Sequence, residues 1–133
     1  MPFEHIVDHG TRLVVVRGSG EGSLGETNDS ARRLLEDQSL CADYRFMFVV
    51  DDIALHPTHE EMSSIVLLLR IMLSRFSGRM AIVTSRVGRV TTAQLMAYAA
   101  DEGVGRLRAF VSETEAREWL LQATPESLSD VHS

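Results

Sequence analysis

Three short runs rich in β-branched, aromatic and aliphatic residues, at positions 46–50, 80–83 and 107–111, each lead into a turn and then into a helix-start signature. The signatures are Thr58-x-x-Glu61, Thr91 and Ser112-x-x-Glu115. In a capping box the hydroxyl accepts from the third helical N–H while the Glu returns a bond, so this spacing has a mechanical meaning. Strands that hand over to helices in this way predict an α/β chain with a largely parallel sheet, because parallel neighbours need a crossover long enough to hold a helix.

The remaining segments complete the pattern. Residues 3–8 and 12–17 read as strands, and Asp8-His9-Gly10-Thr11 between them supplies the turn residues of a hairpin. The glycine-rich stretch Gly18-Ser19-Gly20-Glu21-Gly22 comes next as a loop, and Ser23-x-x-Glu26 opens a helix to about residue 37. A second helix over 59–76 carries Met62, Ile65, Val66, Leu69, Met72, Leu73 and Phe76 at helical spacing, with Gly78 suited to its C-terminal cap. Third and fourth helices are predicted over 92–102 and 113–122. The expected architecture is therefore α/β, with a mixed, mostly parallel five-stranded sheet, an N-terminal hairpin, right-handed strand-helix units in the order ββαβαβαβα, and four helices.

Composition narrows the function classes. A chain of 133 residues is one domain's worth and buries roughly two thirds of its unfolded surface. One domain is expected over 1–123, with a flexible polar tail at 124–133. The net charge of −6 argues against a nucleic-acid partner, since such binding depends on basic groups displacing counterions. All thirteen basic residues are Arg, which removes Schiff-base, P-loop and kinase-type lysine chemistry together. Cys41 is the single cysteine and cannot form an internal disulfide. The start of the chain lacks the basic and apolar regions of a signal peptide, so a cytoplasmic location is expected. Its longest apolar stretch, 65–73, is interrupted by Arg70 and falls far short of the roughly 20 residues a membrane span needs.

Ligands of open parallel sheets sit outside the carboxyl ends of the strands, which directs attention to the loops at 18–25, 51–58, 84–91 and 112–115. Gly20-Glu21-Gly22-Ser23-Leu24-Gly25 spells the dinucleotide fingerprint and Asp51 ends the next strand, as a ribose-binding acid does. Glu21 sets a negative charge where a pyrophosphate belongs, and a loop that simply needs glycine explains the same residues. Thr84-Ser85-Arg86-Val87-Gly88-Arg89 offers hydroxyls and guanidinium groups as an anion cradle, or else Arg86 and Arg89 pair with Asp51 and Asp52. The cluster Asp51, Asp52, His56, His59, Glu60 and Glu61 contains metal-ligand residue types. His56 and His59 straddle a helix start, however, so their rings need not converge, and no metal or other cofactor is expected. No GxSxG, HExxH or evident nucleophile–base pair is present, so the chain is not expected to be an enzyme.

With that order in place, the chain resembles the STAS domain of anti-sigma-factor antagonists, particularly small bacterial relatives grouped with the CRAL-TRIO shape. The likeness rests on the opening hairpin, the strand Phe46-Met47-Phe48-Val49-Val50-Asp51-Asp52, the strand Gly78-Arg79-Met80-Ala81-Ile82-Val83 and the ending Arg108-Ala109-Phe110-Val111-Ser112-Glu113-Thr114-Glu115-Ala116-Arg117-Glu118-Trp119-Leu120. The resemblance implies a regulatory module whose switch is a phosphorylated serine at the start of the helix after the third strand. Thr58 is the hydroxyl at that place here, while the family's serine and glycine are missing and Glu60 and Glu61 stand close by. A non-enzymatic interaction module is the leading expectation, with a protein partner or a homodimer at Leu67, Leu68 and Ile71, which fall outside the main apolar stripe of the second helix. The alternative is a small-ligand protein that takes a nucleotide or anion at Gly20, Gly22, Ser23, Asp51, Asp52, Ser85, Arg86 and Arg89, or a lipid in an apolar groove.

Overall fold

The computed structural model describes residues 3–21, 24–54, 59–84, 94, 97–98, 100–101 and 105–122. Among them, strands β1 (Phe3–Asp8) and β2 (Leu13–Glu21) form the opening hairpin. Helix α1 (Leu24–Glu36), strand β3 (Arg45–Ala54), helix α2 (His59–Arg75) and strand β4 (Met80–Val83) come next. The chain then reaches β5 (Leu107–Phe110) and α3 (Glu113–Leu121). Between β4 and β5, residues 94, 97, 98, 100 and 101 are helical, in the span of the third expected helix. The rest of that span lies outside the described residues, as does the 124–133 tail.

The sheet order is β1-β2-β3-β4-β5, identical to the order along the chain. β1 pairs antiparallel with β2, and every later pairing is parallel. Because the parallel strands are laid down in one direction, crossovers of a single hand must place their helices on one face. The core obeys this. Val14, Val16, Phe46, Met80, Ile82 and Leu107 from the strands pack with Leu34 of α1, Leu69, Met72 and Leu73 of α2, and Ala97 and Ala100 from the β4–β5 connection.

No crossover is left to cover the second face, which carries Leu13, Val15, Met47, Val49, Ala81 and Val83. Only after β5 is the chain free to turn there. It does so as α3, with Ala116, Trp119 and Leu120 at the i, i+3, i+4 spacing that meets a sheet. The two clusters share a strict alternation along β2 to β5, whose side chains point to opposite faces in turn. Burying each large side chain in these layers contributes about 1.5–3 kcal/mol relative to exposure.

Several charged side chains at the amino edge of the parallel strands satisfy backbone groups that the folding of the helices leaves open. The Leu73 carbonyl at the end of α2 has no helical N–H to accept from, because Ser77 N–H donates instead to Ala42 O at 2.6 Å. Arg106 supplies the missing donors, to Leu73 O at 2.8 Å and to Phe76 O at 3.0 Å. Buried Asp101 holds the turn that aims Arg106. One of its oxygens accepts from the N–H groups of Gly105, Arg106 and Leu107 at 2.6, 2.7 and 3.2 Å. Gly105 lies in the left-handed region at φ 97°, which glycine adopts without strain. On the other face Arg79 donates to Trp119 O at 2.8 Å and stacks over its ring at 4.9 Å.

Three expectations change at the level of elements. β2 runs on to Glu21 and β3 to Ala54, whereas both were expected to stop at the glycines and the aspartates. The two strands pair with each other as far as Glu21↔Ala54, so the backbone hydrogen bonds of this stretch are made inside a ladder despite the poor strand propensity of Gly and Asp. Gly78 is not the cap of α2, which ends at Arg75. A Cβ at Gly78 would collide with the carbonyl of Tyr44, so close backbone approach is what demands glycine there.

Candidate functional site

At the carboxyl edge of the sheet, β3 pairs with β4 only as far as Val49↔Val83, and β1 pairs with β2 only as far as Phe3↔Gly18. The β2–β3 pair therefore projects beyond the neighbouring ladders. A bulge sits at its base. Arg17 pairs with Val49 and Ser19 with Asp52, so Val50 and Asp51 of β3 together stand opposite Gly18. Bulges of this kind bend a strand and re-aim its side chains beyond the bend. The structure thus brings Gly20, Asp51 and Asp52 together as strand residues on adjacent strands, with Gly20 opposite Ile53. The loops expected to carry them begin later. Gly22, Ser23, Thr58, Ser85, Arg86 and Arg89 lie outside the described residues, as does His56.

Beside this edge, Arg17, in the middle of β2 just before the bulge, reaches across the second face to Glu113 in the first turn of α3. One nitrogen lies 3.3 Å from one carboxylate oxygen and a second makes a shorter contact with the other. Arg117, one turn on, lies 3.8 Å from the same carboxylate. Ser112 caps α3 by accepting from Glu115 N–H at 3.3 Å, which forms the Ser half of the expected box. Thr84, directly after β4, is fully buried, and its N–H donates to Phe110 O at 3.0 Å.

The opposite, hairpin end contains polar pairs that sequence reading passed over. His5 Nε2 lies 2.6 Å from the buried Ser30 hydroxyl of α1. The alternation Phe3, His5, Val7 against exposed Glu4, Ile6 and Asp8 was the available signal that His5 faces the helices. Burial, aided by nearby Arg33 and partly offset by Asp37, holds the His5 pKa below its ordinary value. His9 Nδ1 hydrogen-bonds the Tyr44 hydroxyl. Asp8 accepts from the backbone of Thr11 and Gly10, and Asp37 from Ser39, which lowers the pKa of both carboxyls.

The expected interface residues on α2 divide. Leu67 and Ile71 are 58% and 52% exposed on the outward side of the helix. Leu68 instead packs against the core beside Ile65 and Val66, because α2 is flanked by α1 and buries a wider arc than one sheet contact requires. Cys41 is an exposed free thiol in the α1–β3 connection. Among the described residues no group of three His, Cys, Asp or Glu side chains converges as metal ligands do, and no helix is long and apolar enough to cross a membrane.

The chain matches no protein-family model, no curated protein and no solved structure. Its chemistry therefore has to be read from its own surface.

Proposed function

We propose that this chain is a non-enzymatic, cytoplasmic, STAS-like regulatory module that works by binding protein through the outward face of α2. The observation that carries the reading is the pair Leu67 and Ile71, one helical turn apart and each more than half exposed. Ile65, Val66, Leu68, Leu69, Met72 and Leu73 of the same helix are instead buried or packed against the core. Single exposed leucines are ordinary, whereas two stacked at i, i+4 on an outward helix face make a continuous strip that a partner can cover. A photo-crosslinking residue placed at Ile71 in the source cells tests this. Protein adducts at 71, absent when the probe stands at the exposed Glu36 of α1, support the reading. No protein adduct at 71 sinks it.

One feature favours a second reading, small-ligand binding at the carboxyl edge. The connection leaving β4 goes to the α1–α2 face, where Ala97 and Ala100 pack, while the chain leaving β5 goes to the opposite face as α3. Neighbouring parallel strands whose connections part in this way flank the crevice where open α/β sheets bind ligands. Ser85, Arg86 and Arg89 come after β4 in the sequence and suit an anion. A native mass spectrum of gently purified protein decides this reading. Retained mass of a nucleotide or phosphate compound supports it, and bare chains count against it.

A further inference from the structure

The outward stripe of α2 is complementary to itself. Among the positions of this helix whose burial is described, the exposed ones are Glu60, Ser63, Leu67, Arg70, Ile71 and Ser74, separated by steps that keep them on one side of a helix. The apolar pair Leu67 and Ile71 occupies the middle, small serines flank it on both sides, and an acid and a base stand apart along the stripe. Serine flanks leave room for a second helix at the usual interaxial distance of about 8–10 Å.

We infer that the partner of this face is a second copy of the chain, with α2 packed antiparallel on α2 about a two-fold axis near Leu67. The inference rests on the interaction reading above and names its partner. A two-fold axis makes the contact isologous, so a residue i of one copy meets a residue j of the other while j meets i, and the pairing closes as a dimer.

Charge chooses the direction. With a rise of about 1.5 Å per residue, an axis at residue 67 puts Glu60 about 10 Å along the helix and the partner's Arg70 about 4 Å along it on the same side. The gap of about 6 Å is within the span of an arginine side chain, and the pair occurs twice by symmetry. Parallel packing would instead set Glu60 against Glu60 and Arg70 against Arg70.

Area limits the strength. A 17-residue helix is about 25 Å long, and one such strip buries less than the roughly 1,200 Å² of a stable complex, so the dimer is weak. Each chain carries −6, and the long-range repulsion this creates is screened beyond about 8 Å at 0.15 M salt.

Sedimentation velocity at that ionic strength, over about 1 to 500 μM protein, is the test. The wild type is expected to pass from monomer to dimer within this range. Leu67→Glu and Ile71→Glu, both at exposed positions and checked for folding by circular dichroism, raise the midpoint by at least about tenfold. Glu60→Arg and Arg70→Glu each raise it by about threefold to tenfold, and the double exchange restores it. Wild-type protein that stays monomeric throughout, a dimer that survives both Leu67→Glu and Ile71→Glu, or a double exchange that fails to recover overturns the inference. The crosslink at Ile71 separates the two claims, because adducts with a different protein alone leave the interaction reading standing while the self-pairing falls.

Discussion

Asp101 shows how one side chain can organise a junction. It is 7% exposed and gathers three backbone N–H groups onto a single oxygen. Removing the carboxylate strands those donors in a partly buried turn and releases Arg106 from the end of α2. Asp101→Ala is expected to cost about 3 kcal/mol, with Asp101→Asn losing less, by urea denaturation. His5 makes a separate prediction about pH. Its pKa is lowered in the fold from an ordinary 6.5, so above that pH both folded and unfolded chains hold a neutral ring and pH has no effect through it. As pH falls below 6.5 the unfolded chain takes the proton first, and stability drops until the folded pKa is passed. His5→Gln, which can still bond Ser30, is expected to flatten the fall in stability as pH drops below 6.5. An unchanged slope in that variant would show that the ring does not titrate differently on folding. Asp8 and Asp37, with lowered pKa values, act in a lower window, where their contribution is lost as pH falls below the ordinary carboxylate range.

α3 is short, yet it is the described helix that packs on the second face, against β3, β4 and β5. Its position depends on Ser112 at the start, the Arg17–Glu113 pair, and Trp119, with the guanidinium groups of Arg79 and Arg108 lying 4.9 and 5.5 Å from its ring. Ser112→Ala should lower stability by about 1 kcal/mol through the lost cap. Trp119→Ala should lower it by about 3–5 kcal/mol, read by chemical denaturation, because the large ring is buried in that layer beside Phe110. Helix types and the spacing of their apolar stripes were visible in the residues. Leu68 was not, since a stripe drawn for one sheet contact ignores burial on the flanks of a central helix. The lengths of β2 and β3 were also hidden, because glycine and aspartate argue locally for a turn while the ladder between the two strands overrides that preference.

For the molecule as a whole, a sheet with five strands in chain order has two open edges among the described residues, and β1 is one of them. Glu4 and Asp8 flank exposed Ile6 on the same side of that strand, and such charges discourage another strand from adding to the edge. Glu4→Val is therefore expected to aggregate faster on gentle heating, monitored by light scattering, even if the monomer's stability changes little. The alternating hydrophobic runs and helix-start signatures were enough by themselves to specify an α/β chain with an antiparallel start and parallel remainder, because both are local consequences of periodicity and hydrogen-bonding geometry. They also marked Leu67, Leu68 and Ile71 as residues beyond the core stripe, of which Leu67 and Ile71 are exposed and Leu68 is packed against the core. Only the tertiary structure decided which face each helix covers, that Gly20, Asp51 and Asp52 stand on adjacent strands, and that His5 meets Ser30 and Arg17 meets Glu113. Those are contacts between residues up to 96 positions apart, and no local preference encodes them. They exist because strands laid down in one direction force the crossover helices to one side and leave the last helix to close the other.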